Sequence, residues 1–213
     1  MALNIVPSVP KFPVEDEKLR ATSHARRRGG NCANTLEVLS QLVSETTSDL
    51  SDDDNESEAP TSGPQLHLLA VLPEATSADV AFIRKSLRNV GLAKSCIFRP
   101  GFRDAAVSYI IQNTAKNTRT MVSHTPLPEM TAQEFVASSR ELHGEGLEQG
   151  WYHFEGTIPH LLLACVEHLR SDHTGFKISV ECEKPERAQM ISVAKCADVV
   201  FFSRLWAEVR CKP

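Results

Sequence analysis

From Leu66 onward the chain alternates short apolar runs with amphipathic helical segments, and this alternation confines it to an α/β architecture. Leu66 to Leu72 is an apolar run between Pro64 and Pro73, the pattern of a buried strand. Ala78 to Val90 is an amphipathic helix with Val80, Ile83, Leu87 and Val90 on its inner face, closed by Gly91. Ala105 to Gln112 and Arg119 to Ser123 read as a hairpin about the Asn113–Asn117 turn. Thr131 begins a helix as its N-cap, with Glu134 as capping-box partner. Trp151 to Phe154, Lys177 to Glu181 and Val199 to Phe202 are further strands. His160 to Arg170 and Arg187 to Lys195 are the helices between them. The implied sheet is parallel, with helices on its faces and an exposed apolar edge at Val199 to Phe202.

Composition narrows the function classes. A 41% hydrophobic fraction over 213 residues is enough for a core without disulfide staples. The net charge of −4 gives no reason to expect nucleic acid or an anionic membrane as partner. Six cysteines are widely spaced, with no C-x-x-C pair and no metal-binding Cys/His spacing, so they read as buried free thiols. No apolar run approaches the roughly 20 residues of a membrane span. The N-terminus lacks a signal-peptide pattern, and a cytoplasmic location is expected.

Two stretches interrupt the alternation. Pro7, Pro10 and Pro13 forbid a helix near the N-terminus and are expected to break any strand ladder there. Residues 44–64 are acidic, rich in Ser and Thr and nearly free of apolar side chains, the composition of a disordered insertion. That insertion is a passive loop or a phosphorylation site. Between these stretches a helix runs from Asn34, with Leu36, Leu39, Leu42 and Val43 at helical spacing.

The chemistry concentrates just before that helix, at Gly29-Gly30-Asn31-Cys32-Ala33-Asn34. Two glycines allow a sharp turn and close approach of a ligand to the backbone. Asn31 and Asn34, three residues apart, either cap the helix or aim two amides at one ligand. An amide both donates and accepts, as a sugar hydroxyl does. Arg119 is either a solvated hairpin charge or a phosphate contact. Glu155-Gly156 and Glu181, Glu183 and Lys184 lie at the carboxyl ends of strands, where open α/β sheets bind ligands; they are equally readable as solvated strand ends.

Five stretches in order give a more specific signal. They are Pro13-Val-Glu15-Asp16 leading to Arg20; Arg28-Gly-Gly-Asn-Cys-Ala-Asn34; Asn117-Thr-Arg119-Thr-Met121; Trp151-Tyr-His-Phe-Glu-Gly156; and Ile178-Ser-Val-Glu-Cys-Glu-Lys-Pro-Glu-Arg187 with Ala197 to Ser203 beyond it. Together they resemble the ketohexokinase-like branch of the ribokinase-like (pfkB-type) carbohydrate kinases. The resemblance implies a three-layer α/β sandwich with a small β-sheet lid, incomplete at the C-terminus. It divides the chain into a kinase domain at 1–43 and 65–213, with lid strands around 10–28 and 97–125, and the insertion at 44–64. It implies ATP and Mg²⁺ as cofactors, a small-molecule sugar as substrate and a homodimer through the lid. Gly30, Asn31 and Asn34 would bind sugar hydroxyls, and Arg119 would approach the transferring phosphate.

Two departures from the family pattern bear on activity. The aspartate that binds the sugar falls at Asn4 here, which keeps an acceptor without the charge, and the strand carrying it is expected to be largely absent. No G-A-G-D segment occurs, and in the family its aspartate is the general base. The chain is therefore expected to be truncated at both ends and inactive alone, or to be a non-enzymatic sugar-binding or regulatory protein. A dinucleotide-binding enzyme is the weaker reading, because Arg28-Gly-Gly-Asn does not extend to G-x-G-x-x-G and no strand is expected directly before it.

Overall fold

The computed structural model describes residues 1–48, 64–144, 149–172 and 175–210. The chain forms two compact units, Met1–Leu92 with Cys96–Glu129, and Met130–Pro213 with Ala93–Ser95.

The first unit is built on a four-stranded mixed sheet in the order β2-β1-β5-β6. Its strands are β1 (Ala2–Val9), β2 (Ser23–Arg28), β5 (Ala106–Asn113) and β6 (Thr118–His124). β1 is antiparallel to β2 and parallel to β5, and β6 returns antiparallel to β5. Two expectations are corrected here. The N-terminal strand is present, and the prolines do not break it. Pro10 and Pro13 lie beyond its end. Pro7 stands opposite His24 of β2, while the pairing with β5 passes over Val6 and Pro7 and resumes at Ser8. The missing N–H therefore falls where the ladder is already interrupted. Of the stretches 10–28 and 97–125, residues 23–28, 106–113 and 118–124 are strands of this sheet together with β1, and residues 97–99 belong to another sheet.

That other sheet is the parallel pair β3 (Val71–Pro73) and β4 (Ile97–Arg99). The strand expected over Leu66–Leu72 shrinks to β3, preceded by one isolated bridge from His67 to Gly91. Leu68 and Leu72 are nevertheless buried, so the apolar run marks the core more faithfully than it marks the ladder. α2 (Ala78–Ser86) begins at Ser77, whose hydroxyl accepts from the Val80 N–H. It ends one turn earlier than the periodicity suggests, because Leu87 leaves helical geometry (φ −127°, ψ 57°) and Val90 closes a separate turn onto Leu87 O. Asp79 joins this helix to the sheet, accepting from Arg26 at 2.5 Å and from the Ala105 N–H at 2.8 Å. Leu3, Leu68, Leu72, Val80, Ile83, Leu87 and Ala105 form the core, at roughly 1.5–3 kcal/mol for each large side chain fully buried.

α1 (Asn31–Ser48) follows β2 directly. Ala33 is buried and Leu36 packs on the core, but Leu39 and Leu42 are exposed, so the apolar stripe is covered only in its first turns. The helix continues to Ser48, five residues into the stretch expected to be disordered. The remainder of that stretch, up to residue 63, lies outside the described residues.

The second unit is a parallel sheet in the order β7-β8-β9, with β7 (Gly150–Phe154), β8 (Phe176–Cys182) and β9 (Val199–Phe202). Tyr152, Phe154, Ile178, Val180 and Cys182 share one face. Against it pack α3 (Ala132–His143), α4 (Pro159–Asp172) and α5 (Met190–Lys195), through Phe135, Val166, Leu169, Met190 and Val193. Thr131 and Glu134 form the expected capping box. The helix expected from Arg187 begins only at Met190, because Ala188 and Gln189 form a turn closed by the Met190 N–H on Arg187 O. α6 (Arg204–Arg210) starts at Ser203, whose hydroxyl accepts from the Trp206 N–H. β9 is the edge strand, and Phe201 and Phe202 are half exposed, as the sequence leads one to expect.

Cys32, Cys96, Cys165, Cys182 and Cys196 are free thiols. Burial pushes Cys96 up to about 11 and Cys165 up to about 12, and raises Cys182 as well, so these thiols stay protonated and unreactive. Among the described residues no helix is long and apolar enough to cross a membrane.

Candidate functional site

The site forms where β2 ends and α1 begins. Gly29 N–H donates to Ala2 O, which pins the turn against β1. Asn4 lies over this glycine: a Cβ built on Gly29 would stand 2.8 Å from Asn4 Oδ1 and 2.9 Å from Nδ2. Gly30 holds φ +101°, which side chains other than glycine rarely adopt, and its carbonyl accepts the first helical bond, from Asn34 N–H at 3.0 Å. Gly29 thus admits the Asn4 side chain, and Gly30 turns the backbone into the helix that carries Asn31 and Asn34.

The pairing registers add a polar strip across the sheet. Arg27, Asn4, Ser108 and Ser123 occupy one row on one face, and the two serine hydroxyls are 2.8 Å apart. The structure therefore brings Asn4 to Gly29 and places Asn31 and Asn34 in the first turn of the helix that follows. Amides and hydroxyls in such a row can match the mixed donors and acceptors of a polyol.

Arg119 is not part of that gathering. It shares the Asn4 face, but it sits in the row of Ser8 and Gln112. That is four residues along and two strands across from Asn4, roughly 13 Å by 10 Å. It is exposed and forms no ion pair among the described residues.

Two residues of the site escaped the sequence reading. Arg28 has a side chain only 3% exposed, and its guanidinium donates to Asn34 Oδ1 at 3.0 Å and to Glu37 Oε2. Arg28 could be flagged as a charge in the motif. Its partner could not, because the two lie nine residues apart across a strand–helix turn and no local spacing rule connects them.

In the second unit, the strand-end residues have local partners. Glu181 Oε1 is 3.3 Å from His153 Nε2, and His153 Nδ1 is 2.8 Å from Ser179 Oγ. Gly156 is fixed by close backbone approach, since a Cβ there would stand 1.9 Å from Glu181 O. Glu183 and Lys184 are exposed. Among the described residues no group of three or more His, Cys, Asp or Glu side chains could hold a metal ion.

No family model matches the chain. It is 25% identical to mouse ketohexokinase over 211 residues, which is 96% of this chain and 61% of that enzyme. Arabidopsis thaliana ribokinase, in complex with ribose and ATP, superposes with a TM-score of 0.64 at 11% identity, covering 97% of this chain and 58% of that one. The fold is ribokinase-like. The Methanocaldococcus jannaschii nucleoside kinase of the ribokinase family agrees, with a TM-score of 0.60 at 12% identity over 98% of this chain and 60% of that one. So does the tetrameric inhibited form of Escherichia coli phosphofructokinase-2, with a TM-score of 0.55 at 13% identity over 94% and 58%. The ribokinase-like resemblance drawn from the five sequence stretches is thus supported by a sugar-kinase relative and by the fold. The chain spans about three fifths of the length of the proteins it matches.

Proposed function

We propose that the turn from β2 into α1 is the sugar half-site of an ATP-dependent sugar kinase of ketohexokinase-like type. Its substrate is a furanose or ketohexose, held by Asn4, Asn31 and Asn34 with Gly30 beside them. The observation that carries this reading is the placement of Asn4 over Gly29, at the start of the helix bearing both other asparagines. Sequence counting alone puts the family's sugar-binding acid at Asn4, and the fold brings that position to the motif from a separate strand.

Arg119 serves as the phosphate-facing cation in this reading, because it is exposed and shares the Asn4 face. Its separation from Asn4 requires the far end of β6 and the sugar to approach one another. A homodimer through the four-stranded sheet is consistent with Tyr109 and Val122, which stand opposite one another on β5 and β6 and are at least half exposed.

ATP and Mg²⁺ belong to the reading through the resemblance, and the residues present do not fit them. Beyond Gly156 the sequence holds a single further glycine, Gly175, so no glycine-rich anion cradle forms there. No carboxylate cluster suited to magnesium occurs among the described residues. Glu37, the carboxylate one turn beyond Asn34, is paired with Arg28 and is not free to act as a base. The alternative reading is a sugar-binding or regulatory protein without catalysis.

Titration of the chain with fructose by calorimetry tests the half-site. Binding that is lost in the Asn31→Ala/Asn34→Ala double variant is the expected result. A folded chain that binds neither ketohexose nor ribose overturns it. An ADP-release assay with fructose then separates the two readings.

A further inference from the structure

Resting on the half-site just described, we infer that Arg28 is a positioning residue. It locks the Asn34 amide so that only N–H donors face the ligand, and the group bound there must be an acceptor.

Arginine carries five N–H donors and no acceptor. Whatever faces it from Asn34 must be the amide oxygen, and Nη1 of Arg28 lies 3.0 Å from Oδ1. The two amide hydrogens then point away from Arg28, on a side chain that is exposed at the start of α1. An asparagine free to flip could meet a ligand as donor or acceptor. Asn34, held in this way, turns its NH₂ group toward a ligand on the side away from Arg28.

Arg28 is itself held from three directions. It ends β2, opposite Leu3 of β1. Its side chain is almost wholly buried, and its second terminal nitrogen donates to Glu37 Oε2. The buried cation therefore has its counter-charge, and both terminal nitrogens are engaged. Glu37 lies on the same helix as Asn34, one turn on, so strand, arginine and helix form one bracket around the amide. Lysine cannot replace this arrangement, because a single ammonium lacks the planar fork that reaches two acceptors at fixed angles.

The consequence concerns selectivity within the sugar. A hydroxyl meeting Asn34 accepts from it, and its own proton must go to another acceptor. A ligand carrying only a donor at that point is rejected, because the two sets of hydrogens oppose each other.

The test has one arm that needs no sugar. In the ¹⁵N-labelled chain, the Asn34 side-chain NH₂ pair is assigned by its loss in Asn34→Ala. The expected result is a rigid amide in the wild type, with an order parameter that falls markedly in Arg28→Met. Should Arg28→Met fail to fold, Arg28→Lys retains the charge and is expected to show the same loosening. An amide equally rigid in the arginine variant overturns the inference. The second arm is calorimetry with fructose on Asn34→Asp, which keeps an oxygen for Arg28 and loses both donors. It is expected to stay folded and to bind at least roughly tenfold more weakly. Wild-type affinity in Asn34→Asp overturns the donor assignment. A wild-type chain that binds no sugar overturns the half-site, while the amide measurement still decides whether Arg28 holds Asn34.

Discussion

Asn4 lies against Gly29 where β2 ends beside β1: a Cβ on Gly29 would stand 2.8 Å from Asn4 Oδ1. The contact is with the far end of a side chain, which can swing aside. Gly29→Ala is therefore expected to cost about 1 kcal/mol or less in stability, which is a few degrees in Tm for a chain of this size. Its effect on binding is expected to be larger, because the displaced amide is one of the three proposed sugar contacts. Thermal unfolding and fructose calorimetry on the same variant check this. A large fall in Tm with unchanged affinity would show that Asn4 is structural only.

Gly30 differs, because its constraint is in the backbone. At φ +101° an L side chain is strained whatever space surrounds it. Gly30→Ala is expected to destabilise the chain by about 1–2 kcal/mol and to loosen the first turn of α1. Hydrogen exchange at the Asn34 amide, which donates to Gly30 O, is expected to accelerate.

How far the sequence can be read depends on how local the deciding interaction is. The capping box of Thr131 and Glu134 spans three residues, and it forms as expected. The Asn113–Asn117 turn was also legible: Asn113 Oδ1 accepts from Ala115 and Lys116 N–H, and Asn117 takes φ +51°. β1 was not legible, because Pro7 argues against a strand while the partners that stabilise it, β2 and β5, are far along the chain. The Leu66–Leu72 run betrayed its burial and not its pairing. In the candidate site, the glycines and asparagines were visible as a motif. Arg28 bridging to Glu37 became visible only once strand and helix were placed together. Arg119 shows the converse limit, since a motif residue identified by resemblance lies well apart from the amides it would serve.

Gly156 in the second unit makes a sharper demand than Gly29. A Cβ there would stand 1.9 Å from the carbonyl oxygen of Glu181, and that oxygen belongs to backbone that cannot swing aside. Gly156→Ala is expected to cost about 3 kcal/mol or more and to yield insoluble or partly unfolded protein. Thr131→Ala, which removes only the cap of α3, is expected to cost about 1 kcal/mol and to leave the protein soluble. Urea unfolding of the two variants side by side checks the ranking.

Asp198 gives a pH dependence with a definite sign. It accepts from the Ile178 N–H and from Arg170, each at 2.7 Å, and these bonds, the backbone one first, hold its carboxyl below the usual carboxylate range. A folded-state pKa below the unfolded one contributes stability that is complete above the ordinary carboxylate pKa. That stability is lost as pH falls through the lowered folded value. The wild type is therefore expected to lose Tm below about pH 4 more steeply than Asp198→Asn. Near pH 7 the variant is expected to be the less stable of the two, because its neutral amide is a weaker partner for Arg170. Parallel acid limbs in the two proteins would show that Asp198 contributes nothing to acid sensitivity.

Asn4→Asp asks how much of the proposed sugar site depends on one charge. The position lies in register with Arg27 on the same face, so an added carboxylate would meet a cation in the neighbouring strand. Hydrogen bonds to a charged acceptor are worth roughly 1 kcal/mol more than neutral ones, which corresponds to about a five- to tenfold gain in fructose affinity. Turnover is a separate matter. A carboxylate at this place supplies binding, and the carboxylate nearest to Asn34 along α1 remains tied to Arg28. The expected outcome is tighter fructose binding by calorimetry with ADP release still at background. Release that rises with the substitution at saturating fructose would favour the kinase reading over the sugar-binding one.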